Sequence, residues 1–457
     1  MNPAIERYHD LLTPEVAADS HEWLHRQLAS KGLEFGGRML CSVLRPRFLS
    51  FAEYRLLSER CALVLSALEK ARVAAMEDAG LRTQFSLLDW EELLIHDDPG
   101  FRDASPTSRL DAFFADGPDG SGLKFTEYNA ETPAGAGYGD ALTKAFLSLP
   151  VMSEFRREYN CLPIPAAPGV EHALLDAFRQ WSGTREAPRI AIVDWSDVPT
   201  RSEFVLFCDF FKQNGLECII ADPREMEYRN GQLYSGPFHV TLIYKRVLID
   251  ELINKCGLES DVVRAVRERA VCMVNPFRCK LLHKKASLAV LSDERNADLF
   301  SAEERLAIAA HIPWTRRVED RRTLYHGKTV DLMPFCAEQR ERLVLKANDE
   351  YGGKGIVLGW ETQPEEWDRA LKAALANATE PAATCVVQER VGVPSEPFPS
   401  MINGQLQFAN RFVDTDPFIC SGSYMDGCLT RLSTAALLNV TAGGGSTAPA
   451  FVVESRE

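Results

Sequence analysis

The sequence lacks the features of a membrane or secreted protein. No apolar run approaches the ~18 to 20 residues that cross a bilayer, and the charged residues 1–7 have no hydrophobic signal core behind them. We therefore expect a cytoplasmic protein with no membrane contact.

Basic residues are also in deficit, since 51 Lys and Arg against 65 Asp and Glu give a net charge of −14. A nucleic-acid partner is disfavoured, because backbone binding needs a basic surface. A bound nucleotide would need only a local cluster of cations.

Cysteine motifs are missing as well. The twelve cysteines are scattered singly between positions 41 and 428 with no C-x-x-C pair, so we expect reduced and mostly buried thiols. With 25% charged and 46% hydrophobic residues over 457 positions, the composition is typical of a globular protein of two or three domains.

Changes of hydrophobic periodicity divide the chain. Residues 1–100 predict a mainly helical region, and residues 188–275 predict a strand–helix–strand block with a parallel sheet. The strands of that block are predicted at 189–194, 216–221 and 240–244. Thr200 with Glu203 predicts a helix capping box. No G-x-G-x-x-G follows the first strand, so a dinucleotide site is not expected there. Residues 343–457 alternate short strands with glycine turns, and the fold class is therefore a mixture of α/β and α+β.

The most informative stretch surrounds Lys346, which ends a predicted strand. The run Gly352-Gly353-Lys354-Gly355 follows it and leads into a second strand. Glycine N–H groups can close around phosphate oxygens, and Lys346 and Lys354 supply charge for the same anion. The spacing of a Walker A loop is absent, and a plain β-hairpin with a glycine turn is the alternative. Further on, the strand 385–391 could present backbone groups to a base and Glu389 to a ribose.

A second pattern lies in the predicted strand segment 126–133. A repeat of two residues places Glu127 and Asn129 on one face of the strand. Their oxygens suit a Mg²⁺ ion that keeps water and phosphate oxygens as its other ligands. Asp111 could complete the set from a neighbouring strand. The alternative is an exposed polar strand face.

In their order along the chain, these residues resemble the ATP-grasp ligases. The matching residues are Arg109 and Asp111, Glu127 and Asn129, Lys285 ahead of a leucine-spaced helix, Lys346 with its glycine loop, and Gln388 with Glu389. In ordinary ATP-grasp chains the Glu-x-Asn pair follows both ATP lysines. Here it precedes them, which resembles the circularly permuted branch that includes the glutathionylspermidine synthetase-like proteins. Glu131 replaces an aspartate of that branch, and the N-terminal region is too short for the amidase domain of its bifunctional members.

The resemblance implies a ligase that joins a carboxylate to an amine through an acyl phosphate. It implies ATP contacts at Lys285, Lys346, Gly352, Gly353, Lys354, Gly355, Gln388 and Glu389, a Mg²⁺ site at Asp111, Glu127 and Asn129, and oxyanion stabilisation by Arg109. The implied regions are a helical segment 1–100, a metal-binding strand element 101–187, a Rossmann-like domain 188–275 that precedes the ATP-binding part, and ATP-binding lobes 276–457. The substrates would be a small-molecule or peptide carboxylate and an amine. Neither their identities nor the oligomeric state follow from the sequence.

Two other functions stay open. A catalytically silent nucleotide-binding regulator would keep the ATP contacts without turnover. The run His21-Glu22-Trp23-Leu24-His25 matches the H-E-x-x-H zinc motif of metallopeptidases. Asp19 and Ser20, however, predict a helix N-cap, which would put the motif in an exposed first turn with no third ligand. Lys284 is expected in solvent, and Arg431 is not assigned to the site.

Overall fold

The computed structural model describes residues 3–35, 37–115, 122–434 and 445–456. The stretch 439–445, which has no counterpart in the ATP-grasp resemblance, lies outside these ranges except for its last residue. No helix within them is long and apolar enough to cross a bilayer. The twelve cysteines are free thiols, and all but Cys256 and Cys385 are buried.

The first hundred residues are mainly helical. Their elements are α1 (Pro3–Leu11), α2 (Pro14–Ser30), β1 (Glu34–Phe35), β2 (Arg38–Met39), β3 (Arg47–Leu49), α3 (Phe51–Glu77), α4 (Ala79–Arg82) and α5 (Asp89–Leu94). Thr13 caps α2 by accepting a hydrogen bond from the Val16 amide. Asp19 and Ser20 therefore lie inside the helix, and the N-cap predicted there is wrong.

A block of parallel strands occupies the middle of the chain. The elements of this part are β4 (Thr107–Phe114), β5 (Leu123–Asn129), α6 (Ala136–Leu147), α7 (Pro150–Phe155), β6 (Tyr159–Pro163), α8 (Ala167–Ser182), β7 (Arg189–Val193), α9 (Arg201–Gln213), β8 (Glu217–Ala221), β9 (Met226–Arg229), β10 (Gln232–Ser235), β11 (Phe238–Val240), β12 (Leu242–Lys245), α10 (Ile249–Cys256), α11 (Asp261–Arg267) and β13 (Cys272–Val274). The parallel sheet has the order β13–β12–β7–β8. The strand expected at 240–244 is interrupted, because β11 pairs antiparallel with β10 while β12 joins the parallel sheet.

Glu203 does not form the predicted capping box with Thr200. Thr200 makes no side-chain cap hydrogen bond. The buried Glu203 carboxylate instead accepts from the backbone amides of Gly135 and Gly137 at 2.8 and 3.1 Å. It also pairs with Arg246 at 3.3 Å. These bonds tie α9 to the loop that follows β5.

The last part of the chain alternates helices and strands. Its elements are α12 (Lys280–His283), α13 (Ala286–Ser292), α14 (Ala302–His311), β14 (Thr315–Arg317), β15 (Arg322–Tyr325), β16 (Lys328–Asp331), α15 (Leu332–Glu338), β17 (Leu343–Ala347), β18 (Ile356–Leu358), α16 (Pro364–Ala376), β19 (Cys385–Glu389), β20 (Ser395–Ile402), β21 (Gln405–Val413), β22 (Asp416–Cys420), β23 (Tyr424–Ser433), β24 (Ser446–Ala448) and β25 (Ala450–Ser455). An antiparallel sheet of order β14–β19–β17–β18 carries Lys346 on β17.

The largest sheet joins distant parts of the chain. Its described strands run in the order β20–β21–β23–β22–β4–β5, with β24 paired to β23. On one face, Leu110 of β4 and Phe125 of β5 pack in a common core with Leu57 and Leu68 of α3. In β4, alternation of side chains between faces places Arg109 and Asp111 on the other side, towards β17 and β19. In β5 the pairing shifts by one residue between Phe125 and Glu127, and this irregularity places Glu127 opposite Asp111 on that same side.

Candidate functional site

A cavity of about 530 Å³, here called the first cavity, is lined by residues of β4, β5, β17 and β19. Most of the residues predicted for the site line it: Arg109, Asp111, Glu127, Asn129, Lys346, Gly352, Gly353, Gln388 and Glu389. Lys285 is not in the wall but contacts Glu127. Lys354 and Gly355 are exposed and lie outside the wall. The fold therefore brings together most of the residues that the sequence motifs indicated.

The antiparallel pair β4–β5 fixes four of these residues. Arg109 stands opposite Asn129, and Asp111 stands opposite Glu127. The Asp111 carboxylate accepts hydrogen bonds from Arg109 Nε at 2.7 Å and from Asn129 Nδ2 at 2.8 Å. It also accepts one from Arg431 Nη2 at 2.8 Å. Burial would raise the pKa of Asp111, but Arg109 and Arg431 lower it to about 2. Asp111 is therefore ionised at neutral pH.

Glu127 and Asn129 carry the oxygens best suited to a metal ion. Glu127 Oε1 lies 3.0 Å from Lys285 Nζ. Because the side-chain N–H of Asn129 donates to Asp111, the Oδ1 atom of Asn129 remains available as an acceptor. A carboxylate and an amide oxygen beside a cavity are ligands of the kind that Mg²⁺ takes, so these residues fit the ion. Both oxygens of Asp111 already accept from Arg109, and its role as a ligand stays a prediction.

Lys346 is a buried cation in the cavity wall. Its Nζ donates to Gln388 Oε1 at 2.7 Å and to the Thr126 carbonyl oxygen at 3.2 Å. Within the described ranges, no carboxylate lies at ion-pair distance from it. Burial lowers the pKa of Lys346 to about 8, against an opposing effect of Glu127. A buried ammonium that lacks a carboxylate partner is suited to an anionic ligand.

The loop between β17 and β18 has the backbone that its glycines permit. Gly352, Gly353 and Gly355 have φ angles of 65°, 82° and 67°, which glycine adopts without steric cost. Lys354 Nζ lies 4.6 Å from the ring centroid of Tyr351. The loop therefore directs glycines 352 and 353 to the first cavity, whereas the phosphate contact predicted for Lys354 has no counterpart in the wall.

Two hydrogen bonds hold this glycine loop. Lys285 Nζ donates to the Glu350 carbonyl oxygen at 2.5 Å. The Tyr351 hydroxyl donates to Glu251 of α10 at 3.2 Å. The loop thus contacts both the predicted ATP lysine and the central parallel block.

Gln388 and Glu389 end β19 at the edge of the first cavity. Glu389 accepts a hydrogen bond from the Tyr325 hydroxyl at 2.6 Å and lies 3.1 Å from His326 Nε2. Residues 390–393, which follow β19, also line the cavity. The β15–β16 hairpin therefore fixes Glu389, and its contact to a ribose stays a prediction.

The sequence analysis missed Arg431, Asp414 and Asp416, which also line the first cavity. Arg431 Nε donates to Asp414 at 2.6 Å, and its Nη2 lies 2.8 Å from carboxylate oxygens of both Asp111 and Asp416. Burial opposes the charge of Arg431, yet Asp414 and Asp416 hold its pKa well above the usual range. The spacing Asp414-x-Asp416, which begins just before β22, was the available signal, since residues two apart in an extended backbone lie on the same side of the chain.

A cluster of buried charges lies next to the glycine loop and includes Lys284. This residue is 1% exposed and pairs with Glu91 at 2.8 Å and with Asp349 at 2.7 Å. Lys280 pairs with the same Asp349 and with Glu131. Burial would raise the pKa of Glu131, but nearby lysines lower it to about 2. The expectation that Lys284 is solvated is wrong, because carboxylates from two distant segments neutralise it.

The H-E-x-x-H motif lies in the middle of α2. The ring centroids of His21 and His25 are 5.9 Å apart. Leu24 is buried, and Trp23 donates its Nε1 to Ser148 Oγ at 2.9 Å. Within the ranges that the structure describes, no group of three or more His, Cys, Asp or Glu side chains could hold a metal ion. The motif therefore belongs to a helix that packs through its apolar residues.

Comparisons with known proteins support the fold. No protein-family model matches the chain, and no curated protein matches it. A glutathione synthetase-like effector from Globodera pallida is similar in structure, with a TM-score of 0.63 at 13% identity over 96% of this chain and 98% of that one. A putative gamma-glutamylcysteine synthetase from Methylobacillus flagellatus, at 12% identity over 89% of each chain, has a TM-score of 0.43. The first likeness is one of fold alone: this chain shares the fold of the glutathione synthetase-like effector.

Proposed function

We propose that this chain is an ATP- and Mg²⁺-dependent ligase that joins a carboxylate to an amine. The motif order is that of the circularly permuted, glutathionylspermidine synthetase-like ATP-grasp proteins. The observation that carries the proposal is the convergence of Lys346, Glu127 and Asn129 with Gly352 and Gly353 in one cavity. A cation for phosphates, oxygens for a metal and a glycine loop are the groups that phosphoryl transfer requires.

Lys346 and Lys285 are the proposed phosphate contacts. Lys346 would exchange its bond to Gln388 for a phosphate oxygen. Lys285 lies outside the wall of the first cavity but contacts both Glu127 and the glycine loop, and from there it would reach the same phosphates. The base and ribose would lie along 390–393 and Glu389.

Glu127 and Asn129 are the proposed Mg²⁺ ligands. Bound there, Mg²⁺ would neutralise the charge that develops as the γ-phosphoryl group moves to the substrate carboxylate and forms an acyl phosphate. Asp111 accepts a hydrogen bond from the side-chain nitrogen of Asn129, which leaves the side-chain oxygen of Asn129 available to the metal. It holds Arg109 in place at the same time.

Arg109 is the proposed oxyanion-stabilising group. Two of its hydrogen bonds go to Asp111, and a third goes from Nη1 to the Ala134 carbonyl oxygen at 2.8 Å. A guanidinium has further N–H donors, so Arg109 can still donate to a substrate. A fixed cation is suited to the negative charge that forms when the amine attacks the acyl phosphate.

Thermal stabilisation by Mg-ATP and ADP release test the proposal. Mg-ATP should raise the unfolding temperature of the wild type and of Lys372→Ala, an exposed lysine of α16 that serves as the matched control. Lys346→Ala should fold but lose this stabilisation. A screen of amino acids, small peptides and polyamines should then find a pair that releases ADP. Unchanged stabilisation of Lys346→Ala would remove Lys346 from the site. Stabilisation with no ADP release from any pair would favour the silent regulator.

A further inference from the structure

A second cavity of about 450 Å³ adjoins the first. The two share Arg109, Asn129, Gly352 and Arg431 in their walls. The second cavity lies at the carboxyl ends of β7 and β12, the edge at which parallel sheets bind ligands. Apart from Asn129 and Gly352, its wall contains none of the proposed ATP and Mg²⁺ contacts, so it is available to a substrate.

The arginines in the wall of the second cavity are already paired. Arg109 and Arg431 bond to carboxylates of the first cavity. Arg246 Nη2 lies 3.3 Å from Glu203 and its Nη1 donates to the Pro133 carbonyl oxygen. These guanidinium groups therefore have carboxylate partners before any ligand arrives.

Asp194 differs from every other charged group in that wall. It is 7% exposed, and its carboxylate accepts from the Trp195 amide at 2.8 Å. In the part of the chain that the structure describes, no other donor reaches it and no cation lies at ion-pair distance. Glu251, the other carboxylate of the wall, pairs with Lys255 at 3.2 Å. Burial raises the pKa of Asp194 to about 6 against the opposing charges of Arg246 and Lys245, which lie near it but form no ion pair with it.

We propose that the second cavity is the subsite of the amine substrate and that Asp194 binds its ammonium group. This inference rests on the proposed ligase function. A ligand ammonium would supply the cation that the buried carboxylate lacks. The rest of the wall includes apolar or aromatic side chains, namely those of Leu40, Tyr138, Trp195, Val198 and Leu429. The substrate class is therefore a primary amine with an apolar body, bound in a cavity that shares Arg109 with the first cavity.

The test compares three probes of similar shape. 2-Phenylethylamine, the neutral 2-phenylethanol and the anionic 3-phenylpropionate are titrated calorimetrically into the full chain with Mg²⁺ and a non-hydrolysable ATP analogue. The wild type should bind the amine about tenfold or more tightly than the alcohol, because a charge-assisted hydrogen bond forms only with the amine. Asp194→Asn should lose this preference and keep its stabilisation by Mg-ATP.

Asp222→Asn is the matched control. Asp222 follows β8 as Asp194 follows β7, but its carboxylate bonds to Arg224 and to the Ser196 amide and lies outside the wall. This variant should keep the preference for the amine. If Asp194→Asn fails to fold, Val198→Lys places an ammonium on the same wall and should weaken amine binding by about tenfold or more.

Several results would overturn the subsite. They are tighter binding of 3-phenylpropionate, equal or absent binding of the amine by the wild type, an unchanged preference in Asp194→Asn, and unchanged amine binding in Val198→Lys. Failure of Mg-ATP to stabilise the wild type would instead refute the ligase function and the subsite with it. The two failures are thus distinguished by the nucleotide alone.

Discussion

Lys346 leads to a specific prediction about the pH dependence of ATP binding. Burial lowers the pKa of this lysine from 10.5 to about 8 in the free protein. Phosphate oxygens favour the charged ammonium and should return its pKa towards 10.5 in the complex. Below pH 8 the lysine is charged in both states, and binding does not depend on this group. Above pH 8 the free protein must take up a proton to bind, so the affinity should fall as pH rises.

The magnitude follows from the size of the pKa shift. Each pH unit above 8 should weaken ATP binding by about tenfold until the pKa of the complex is reached. Across the window from 8 to 10.5 the loss should approach roughly 100-fold or more. The stability of the free protein should change in the opposite direction. The unfolded chain binds more protons than the folded chain in that window, so this group makes the free energy of unfolding rise with pH.

Isothermal titration in two buffers of different ionisation enthalpy measures both the affinity and the proton uptake. Lys346→Arg is the informative variant, because a guanidinium stays charged throughout the window. It should bind Mg-ATP with an affinity that does not change with pH and without proton uptake. Lys372→Ala should follow the wild type. A wild-type affinity that is constant from pH 7 to 10, or a Lys346→Arg profile that falls like that of the wild type, would refute the reasoning.

Three further predictions concern other residues. Arg109→Ala should lower ADP release by ~100-fold or more, as loss of an oxyanion-stabilising donor does, while Mg-ATP still stabilises the protein; unchanged turnover would contradict its role. Replacing His21 and His25 together by Ala should leave ADP release within a few-fold, whereas stoichiometric zinc that is lost in this variant together with all activity would favour the peptidase. Glu131→Gln should lower the free energy of unfolding by about 3 kcal/mol or more, because it leaves buried lysines without their partner. The depressed pKa of Glu131 means that its stabilisation is present above pH 4.5 and is lost as pH falls towards 2; urea titrations along that range would show no such loss in the variant.

The sequence was enough to predict those features of the site that depend only on residues close together along the chain. Glu127 and Asn129 are two residues apart on one strand, and a strand repeat alone places them on one face. Lys346 precedes a glycine loop on its own hairpin, so proximity along the chain was enough. Their approach to each other followed from a family resemblance. Nothing in either segment alone indicates that the β17–β19 sheet faces β5.

The failures have a common physical cause in contacts between distant segments. Arg431 reaches Asp111 only because β23 and β22 pair with each other and β22 pairs with β4, a pairing that no local pattern specifies. Glu203 has the spacing of a cap residue, yet its carboxylate bonds to amides more than sixty positions away. Lys284 has the sequence context of a surface residue, but the fold places Glu91 and Asp349 beside it. In each case a tertiary ion pair or hydrogen bond overrode the local preference.

The charges of the site suggest that metal and nucleotide bind cooperatively. In the free protein Lys285 pairs with Glu127, so a proposed phosphate contact and a proposed Mg²⁺ ligand neutralise each other. Mg²⁺ at Glu127 would displace the ammonium of Lys285, which could then turn to a phosphate. ATP that draws Lys285 away would in turn expose the carboxylate to the metal. Because such coupling is reciprocal, Mg²⁺ should tighten ATP binding by the same factor by which ATP tightens Mg²⁺ binding. Until both ligands arrive, Glu127 and Lys285 would keep each other neutralised.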